Sequence, residues 1–228
     1  MNRRNILIGL GVVAAGAAAG GAYWLRAAPT PLPGTAAAPQ ETMTLAAKTG
    51  GEPVFADDHV LGSAEAPVTI LEYSSLTCPH CANFHKNTLP QVKSDWIDAG
   101  RARMVYRHYP LDQLALRAAA AANCIEGDAF FGFLDVLFKN QEKWAHSGDP
   151  LKALQQLAAL AGLGPDAFEA CINDEAQITR ILELQTDGRD RYSIASTPSF
   201  VVNGTLVQGA LPYDEFNAAL EQAASKAS

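Results

Sequence analysis

Two cysteines spaced by two residues, Cys78-Pro79-His80-Cys81, stand where a strand runs into a helix. Few folds supply that junction. Residues 68–73 (VTILEY) are a short, β-branched, apolar run, the pattern of a buried strand. Residues 82–96 follow with helical character and with Phe84, Leu89, Val92 and Trp96 as apolar positions. Pro90 is expected to kink that helix, because it removes one N–H and crowds the preceding turn. The first sulfur therefore sits at a helix N-terminus, where unpaired N–H groups and the positive end of the dipole favour thiolate over thiol. The thiolate is the nucleophile of disulfide exchange, and a second cysteine one turn along can resolve the mixed disulfide. Pro79 suits the first turn, where its missing N–H costs nothing. His80, between the sulfurs, can offer a donor or a positive charge to Cys78. Half of a zinc site is the competing reading of a CxxC. Cys124 and Cys171 supply neither a second CxxC nor a histidine pair at matching spacing, so no metal is expected.

Residues 102–109 form a second strand, and strand–helix–strand implies a right-handed parallel crossover. Residues 111–192 then turn helical and Ala-rich, with start signals at Asp128, Asp149-Pro150 and Gly164-Pro165. Phe130, Phe131, Leu134, Leu137 and Phe138 recur at helical spacing and read as a packed face. Residues 199–202 and 205–208 are joined by Asn203-Gly204, the strongest short hairpin signal, and residues 212–224 close the chain as a helix. The order is βαβ, helical insertion, ββα: one α/β domain with a helical cap. A chain of 228 residues with 48% apolar side chains can bury such a core. Its 17 basic and 24 acidic side chains leave a formal charge of −7, without the basic surplus that nucleic-acid binding requires.

The N-terminus bears on the compartment. Arg3-Arg4 precedes an uncharged run over residues 6–25, so residues 1–26 read as an export signal or an N-terminal membrane anchor. Arg3-Arg4 followed by Ile6-Leu7 loosely resembles a twin-arginine signal. Cleavage after Ala19 or Ala22 fits small-residue preferences, whereas Tyr23, Trp24 and Arg26 fit the interfacial anchors of a retained helix. Either route delivers the rest, including an Ala/Pro-rich linker over residues 27–50 and a folded domain over residues 51–228, to an oxidising compartment outside the cytoplasm.

The motif and the order of elements over residues 52–228 resemble the DsbA-like family of bacterial thiol–disulfide oxidoreductases. That resemblance implies a thioredoxin fold with an inserted all-helical subdomain, an α/β class. Cys-Pro-His-Cys is the variant associated with strongly oxidising members. It implies Cys78 as nucleophile, with a pKa near about 3.5 if it matches the low-pKa member, and Cys81 as buried resolving thiol. Thr197-Pro198 matches the residue and cis-proline that face the active site, where substrate main chain pairs. An ordinary turn is the alternative there. Glu72, six residues before Cys78, matches the buried acidic residue beneath the CxxC. It is either turned to solvent at an edge or a proton acceptor for Cys81, and burial, which raises a carboxyl pKa, favours the acceptor. His59, His85, His108 and His146 are expected to form no cluster and read as structural or surface residues, although His85 could face the site. Tyr106, Arg107 and His108 are candidates for the underside of the site.

In an oxidising compartment Cys124 and Cys171 are expected to form a structural disulfide, with two free thiols as the alternative. Closing about 48 residues stabilises by about 4 kcal/mol in the chain-entropy model. The function expected is donation of the Cys78–Cys81 disulfide to reduced exported proteins, without a cofactor. The family implies reoxidation by a DsbB-like, quinone-coupled membrane partner. An isomerase or reductase of the same fold would usually carry a dimerisation module, and residues 27–50 are too short for one, so a monomer is expected. A non-catalytic envelope protein with a structural CxxC is the remaining alternative.

Overall fold

The computed structural model describes residues 52–127 and 129–227; the export segment, the linker and the Asp128 start signal lie outside the described residues. In chain order the elements are β1 (His59–Leu61), β2 (Val68–Ser74), α1 (Pro79–Asn87), α2 (Leu89–Val92), a π-helical turn (Lys93–Ile97) and β3 (Ala102–His108). There follow α3 (Gln113–Asn123), α4 (Ala129–Lys139), α5 (Gln141–Ala145), α6 (Pro150–Leu160), α7 (Pro165–Ile172) and α8 (Glu175–Tyr192). The chain returns to the sheet as β4 (Ser199–Val202) and β5 (Thr205–Gln208) and closes with α9 (Tyr213–Ala227). The strands form one mixed sheet in the order β1-β3-β2-β4-β5, with β2 and β3 parallel and the other pairs antiparallel. Among the described residues no helix is long and apolar enough to cross a membrane.

Every residue of β2 and β3 is buried, as expected of central strands covered on both faces. Alternation sends Val68, Ile70, Glu72 and Ser74 to one face and Thr69, Leu71 and Tyr73 to the other. Phe84, Trp96, Phe200 and Phe216 cover part of the first face, beside a second cluster that joins Cys81 and Tyr106 to the aromatic side chains of α4. Leu71, Tyr73, Val105 and Ile194 pack on the opposite side. Asp149 caps α6 by accepting from the Lys152 N–H, and Pro150 occupies its first turn. Asn203 and Gly204 both have positive φ, +41° and +85°, as a two-residue type I′ hairpin requires. A disulfide joins Cys124, just after α3, to Cys171 in α7.

Three local features depart from the sequence reading. Residues 82–96 are not one kinked helix: α1 stops at Asn87, Pro90 lies in the first turn of α2, and the π-helical turn follows. Thr88 holds the break, its hydroxyl donating to the Leu211 carbonyl at 2.8 Å. The edge strand β1 has only three residues and too short a pattern to be read in advance. His59 and His108 do meet, both placing Nε2 at 3.1 Å from Asn123 Oδ1, because β1 pairs with β3 across the sheet edge. Burial lowers the His108 pKa to about 3, with nearby His59 adding to the fall.

Gly188 on α8 marks the tightest approach to the sheet. A Cβ there would lie 2.4 Å from Tyr73 Cε1. The ring cannot withdraw, since it is fully buried and its hydroxyl accepts from Arg107 Nη1 at 2.8 Å. Gly188→Ala gains about 1 kcal/mol of helix propensity but incurs overpacking of about 1–3 kcal/mol or more. We expect a net loss of about 1–2 kcal/mol by urea denaturation; an unchanged or raised midpoint would show that α8 can slide on the sheet.

Candidate redox site

The turn after β2, at the carboxyl end of a central strand, places Cys78 just before α1 and Cys81 within it. Cys78 is the extended residue before α1 (φ −79°, ψ 121°), with Pro79 in the first turn. It retains 6% exposure, whereas Cys81 retains none, and both are free thiols. The Cys78 thiol donates to the Thr197 carbonyl at 3.4 Å, and the Thr197–Pro198 peptide is cis. Cys81 Sγ accepts from the Ser75 N–H at 3.5 Å.

The two sulfurs are electrostatically unlike. A hydrogen bond from the Cys81 thiol lowers the Cys78 pKa most; the Thr197 side chain and the backbone N–H groups of Cys81 and His80 lower it further, against the opposing effect of burial. The result is about 5, which is well depressed but above the about 3.5 that the family resemblance implies. Cys81 moves the other way. Burial raises its pKa strongly, and the neighbouring Cys78 raises it further. One sulfur is therefore built to be a thiolate at neutral pH and the other a thiol.

Glu72 is fully buried, so it does not face solvent at an edge. Its Oε1 is 2.7 Å from His85 Nε2, and no hydrogen bond joins it to Cys81. His85, one turn beyond Cys81 on the same helix, faces the sheet and takes the carboxylate first. His80 and Pro79 are exposed, and the His80 backbone N–H is among the groups that lower the Cys78 pKa. Of the underside candidates, Tyr106 lies on the cysteine side, packed with Cys81. Arg107 points to the opposite face, where it binds Asp58, Tyr73 and the Pro53 carbonyl. His108 bonds Asn123 instead of the cysteines.

The inserted helices contribute two contacts that sequence reasoning missed. Gln141 Nε2 donates to the carbonyls of Leu76 and Cys78 at 2.8 and 3.0 Å, and Asp112 accepts from the Thr77 hydroxyl at 2.6 Å. Nothing in the sequence flags Gln141, which is polar, unremarkable in pattern and 63 residues from the loop it holds.

A family model described as thioredoxin matches residues 56–222. The crystal structure of Wolbachia pipientis alpha-DsbA1 superposes with a TM-score of 0.71 at 31% identity, covering 76% of this chain and 94% of that one. A Rickettsia felis protein whose name places it among the protein-disulfide oxidoreductases is 33% identical over 170 residues, 73% of this chain and 60% of that protein. The chain thus spans under two thirds of the length of the Rickettsia relatives it matches. Disulfide bond formation protein D of Bacillus subtilis is 26% identical, covering 75% of this chain and 79% of its own length. Together with the sheet order and the helices between β3 and β4, these matches identify the fold as thioredoxin with an inserted helical subdomain.

Titrating the reduced protein by thiolate absorbance should give one step with its midpoint near pH 5, from Cys78. Cys81 should stay silent well into alkaline pH. In Cys81→Ala the donor that lowers the midpoint most is gone, and the midpoint should rise by at least about one pH unit. A midpoint near 8 in the parent protein would refute the electrostatic assignment.

Proposed function

The chain belongs to the DsbA-like branch of the thioredoxin family, and on that premise we propose that it is a thiol:disulfide oxidoreductase that donates the Cys78–Cys81 disulfide to reduced exported proteins. The observation that carries this reading is the divergence of the two thiols, with Cys78 lowered to about 5 and Cys81 raised. A dithiol with one sulfur stabilised as thiolate is favoured over the bridged form, so the bridge is a ready oxidant.

A substrate thiolate attacks Cys78 Sγ, the Cys78–Cys81 bond breaks, and its electron pair leaves on Cys81, which takes a proton. A second substrate thiolate then attacks the substrate sulfur of the mixed disulfide and expels Cys78 as thiolate. The substrate loses two electrons and the enzyme gains them. Thr197, held against Cys78, and Pro198 beside it would line the substrate main chain. The Cys124–Cys171 bond would serve stability alone, away from the exchange. Export by residues 1–26 to a periplasmic or other extracytoplasmic space, and reoxidation by a DsbB-like, quinone-coupled membrane partner, complete the reading. No cofactor is needed, because the cysteines themselves carry the electrons.

The direction of transfer has a thermodynamic signature. The folded Cys78 pKa lies below its unfolded value, so the reduced state gains stability as pH rises from about 5, fully above the unfolded pKa, and loses it as pH falls through 5. We expect the reduced protein to exceed the oxidised one by on the order of 1–2 kcal/mol at pH 7, after allowance for screening at a partly open sulfur. At pH 4 the gap should close. Guanidinium denaturation of both forms at the two pH values measures it, and refolding of reduced ribonuclease tests the activity. A bridged form more stable at pH 7 would make the protein a reductase instead.

A further inference from the structure

Beside the reactive sulfur lies a carboxylate that disulfide exchange does not require. Asp112 caps α3, its Oδ1 accepting from the Ala115 N–H at 2.7 Å, and its Oδ2 accepts from the Thr77 hydroxyl at 2.6 Å. Thr77 is the residue before Cys78. Its one hydroxyl proton goes to Asp112, so in the 3.3 Å contact between Ser75 Oγ and Thr77 Oγ1 it is Ser75 that donates. Both hydroxyls are thus turned toward the carboxylate. Asp112 itself is exposed, and each of its oxygens keeps lone pairs for a further donor.

Little other charge surrounds it. The face around Cys78 is built from residues 74–80, 109–113, 141 and 194–198, and Asp112 is the one Asp, Glu, Lys or Arg among them. Beyond Gln141, Glu142 and Lys143 bring one charge of each sign, and Glu142 pairs with His146. Sheet order sets the side on which Asp112 stands. β2 leads to Cys78, with β3 and β4 on opposite flanks. Asp112 follows β3, whose end is tied to β2 by the Tyr109 N–H donating to the Ser74 carbonyl at 2.8 Å, whereas Thr197 and Pro198 precede β4. The two flanks are two strand spacings apart, about 10 Å. A substrate chain on the Thr197–Pro198 side therefore meets Asp112 only through a long side chain. Leu111, 55% exposed beside Asp112, offers apolar surface to an aliphatic stem that ends in a cation.

We propose that Asp112 selects reduced substrates that carry lysine or arginine next to the reacting cysteine, holding the cation on the β3 flank while the thiolate meets Cys78. The proposal rests on the redox reading of the CxxC and names the substrate class of that site. Asp112 makes and breaks no bond. The substrate thiolate attacks Cys78 Sγ, and the S–S electron pair leaves on Cys81, whichever substrate is bound. What the carboxylate changes is how often a thiolate arrives in register, and an exposed ion pair contributes to that modestly and in a salt-dependent way.

The oxidised full chain, mixed with short single-cysteine peptides that carry Lys, Gln or Glu before or after the cysteine, tests this. Acid quenching and mass spectrometry give the rate of mixed-disulfide formation at Cys78. A neighbouring cation also raises a peptide's own thiolate fraction. The readout is therefore the Lys-to-Gln rate ratio, compared between proteins so that peptide reactivity and any common change cancel. In at least one of the two peptide orders that ratio should fall about two- to fivefold in Asp112→Asn and in Asp112→Ser, both of which keep a helix cap. It should fall as far in the parent at about 1 M salt, where the screening length is about 3 Å. The Glu peptides should move the opposite way. A ratio that is the same in parent and variants overturns the proposal. So does an equal fall in Glu221→Gln, which removes a carboxylate paired with Arg101 at the other end of β3, since net charge would then be the cause. Should one Asp112 variant fail to fold, the other and the salt series carry the test. Mixed-disulfide formation starts from the bridged protein whichever redox form is more stable, so a lost charge preference and a failed oxidant reading are told apart.

Discussion

Two sulfurs one helical turn apart share a single negative charge, and the rest of the molecule serves to keep it on Cys78. The helix N-terminus alone is not enough. A dipole contribution of about 0.3–1 kcal/mol moves a pKa by less than one pH unit. Cys78 falls from the ordinary thiol range to about 5, and the hydrogen bond from Cys81 is the largest cause. That donor is effective because Cys81 is fully buried: burial keeps it protonated, so its S–H is available to Cys78 while its sulfur accepts from the Ser75 N–H. The asymmetry is thus self-consistent, each sulfur's state holding the other's.

Such an arrangement demands a rigid turn, and the inserted helices supply it. Gln141 reaches from the start of α5 to two carbonyls of the loop that carries Cys78, and Asp112 both caps α3 and holds Thr77. Asn123, the last residue of α3, gathers His59 and His108, while its neighbour Cys124 is bonded to Cys171. One helix therefore ties the redox loop at its N-terminus and the sheet edge at its C-terminus. The insertion is part of the site's scaffold rather than a lid laid over it.

Local chemistry explains what was legible in the sequence. The strand–CxxC–helix junction, the Asn203-Gly204 hairpin and the Pro150 and Pro165 helix starts each announce themselves within a few residues. Thr197-Pro198 could be placed only through family resemblance. What escaped depends on contacts far apart in the chain. Gln141 and Leu76 are 65 residues apart, and Asn123 joins two histidines that only the β1–β3 pairing brings together. Glu72 was recognisable as a buried acid, but its partner was not: His85 reads as an ordinary helical histidine until α1 is docked on the sheet. The broken helix shows the same division. Pro90 signals a disturbance, but its form is set by the bond from Thr88 to Leu211, more than a hundred residues away.

The central strands carry two buried polar pairs, one on each face. On the face under α8, Arg107 binds both oxygens of Asp58, the Tyr73 hydroxyl and the Pro53 carbonyl, so every group is satisfied and the leading segment is clamped to the sheet. On the cysteine face, Glu72 places one oxygen 2.7 Å from His85 Nε2, with Tyr106 beside it in the register of β3. Burying a charge costs several kcal/mol and is recovered only when hydrogen bonds are complete. Strand alternation makes this division possible, because adjacent residues of β2 and β3 belong to different environments: Glu72 and Tyr106 to the cysteine side, Tyr73 and Arg107 to the face under α8.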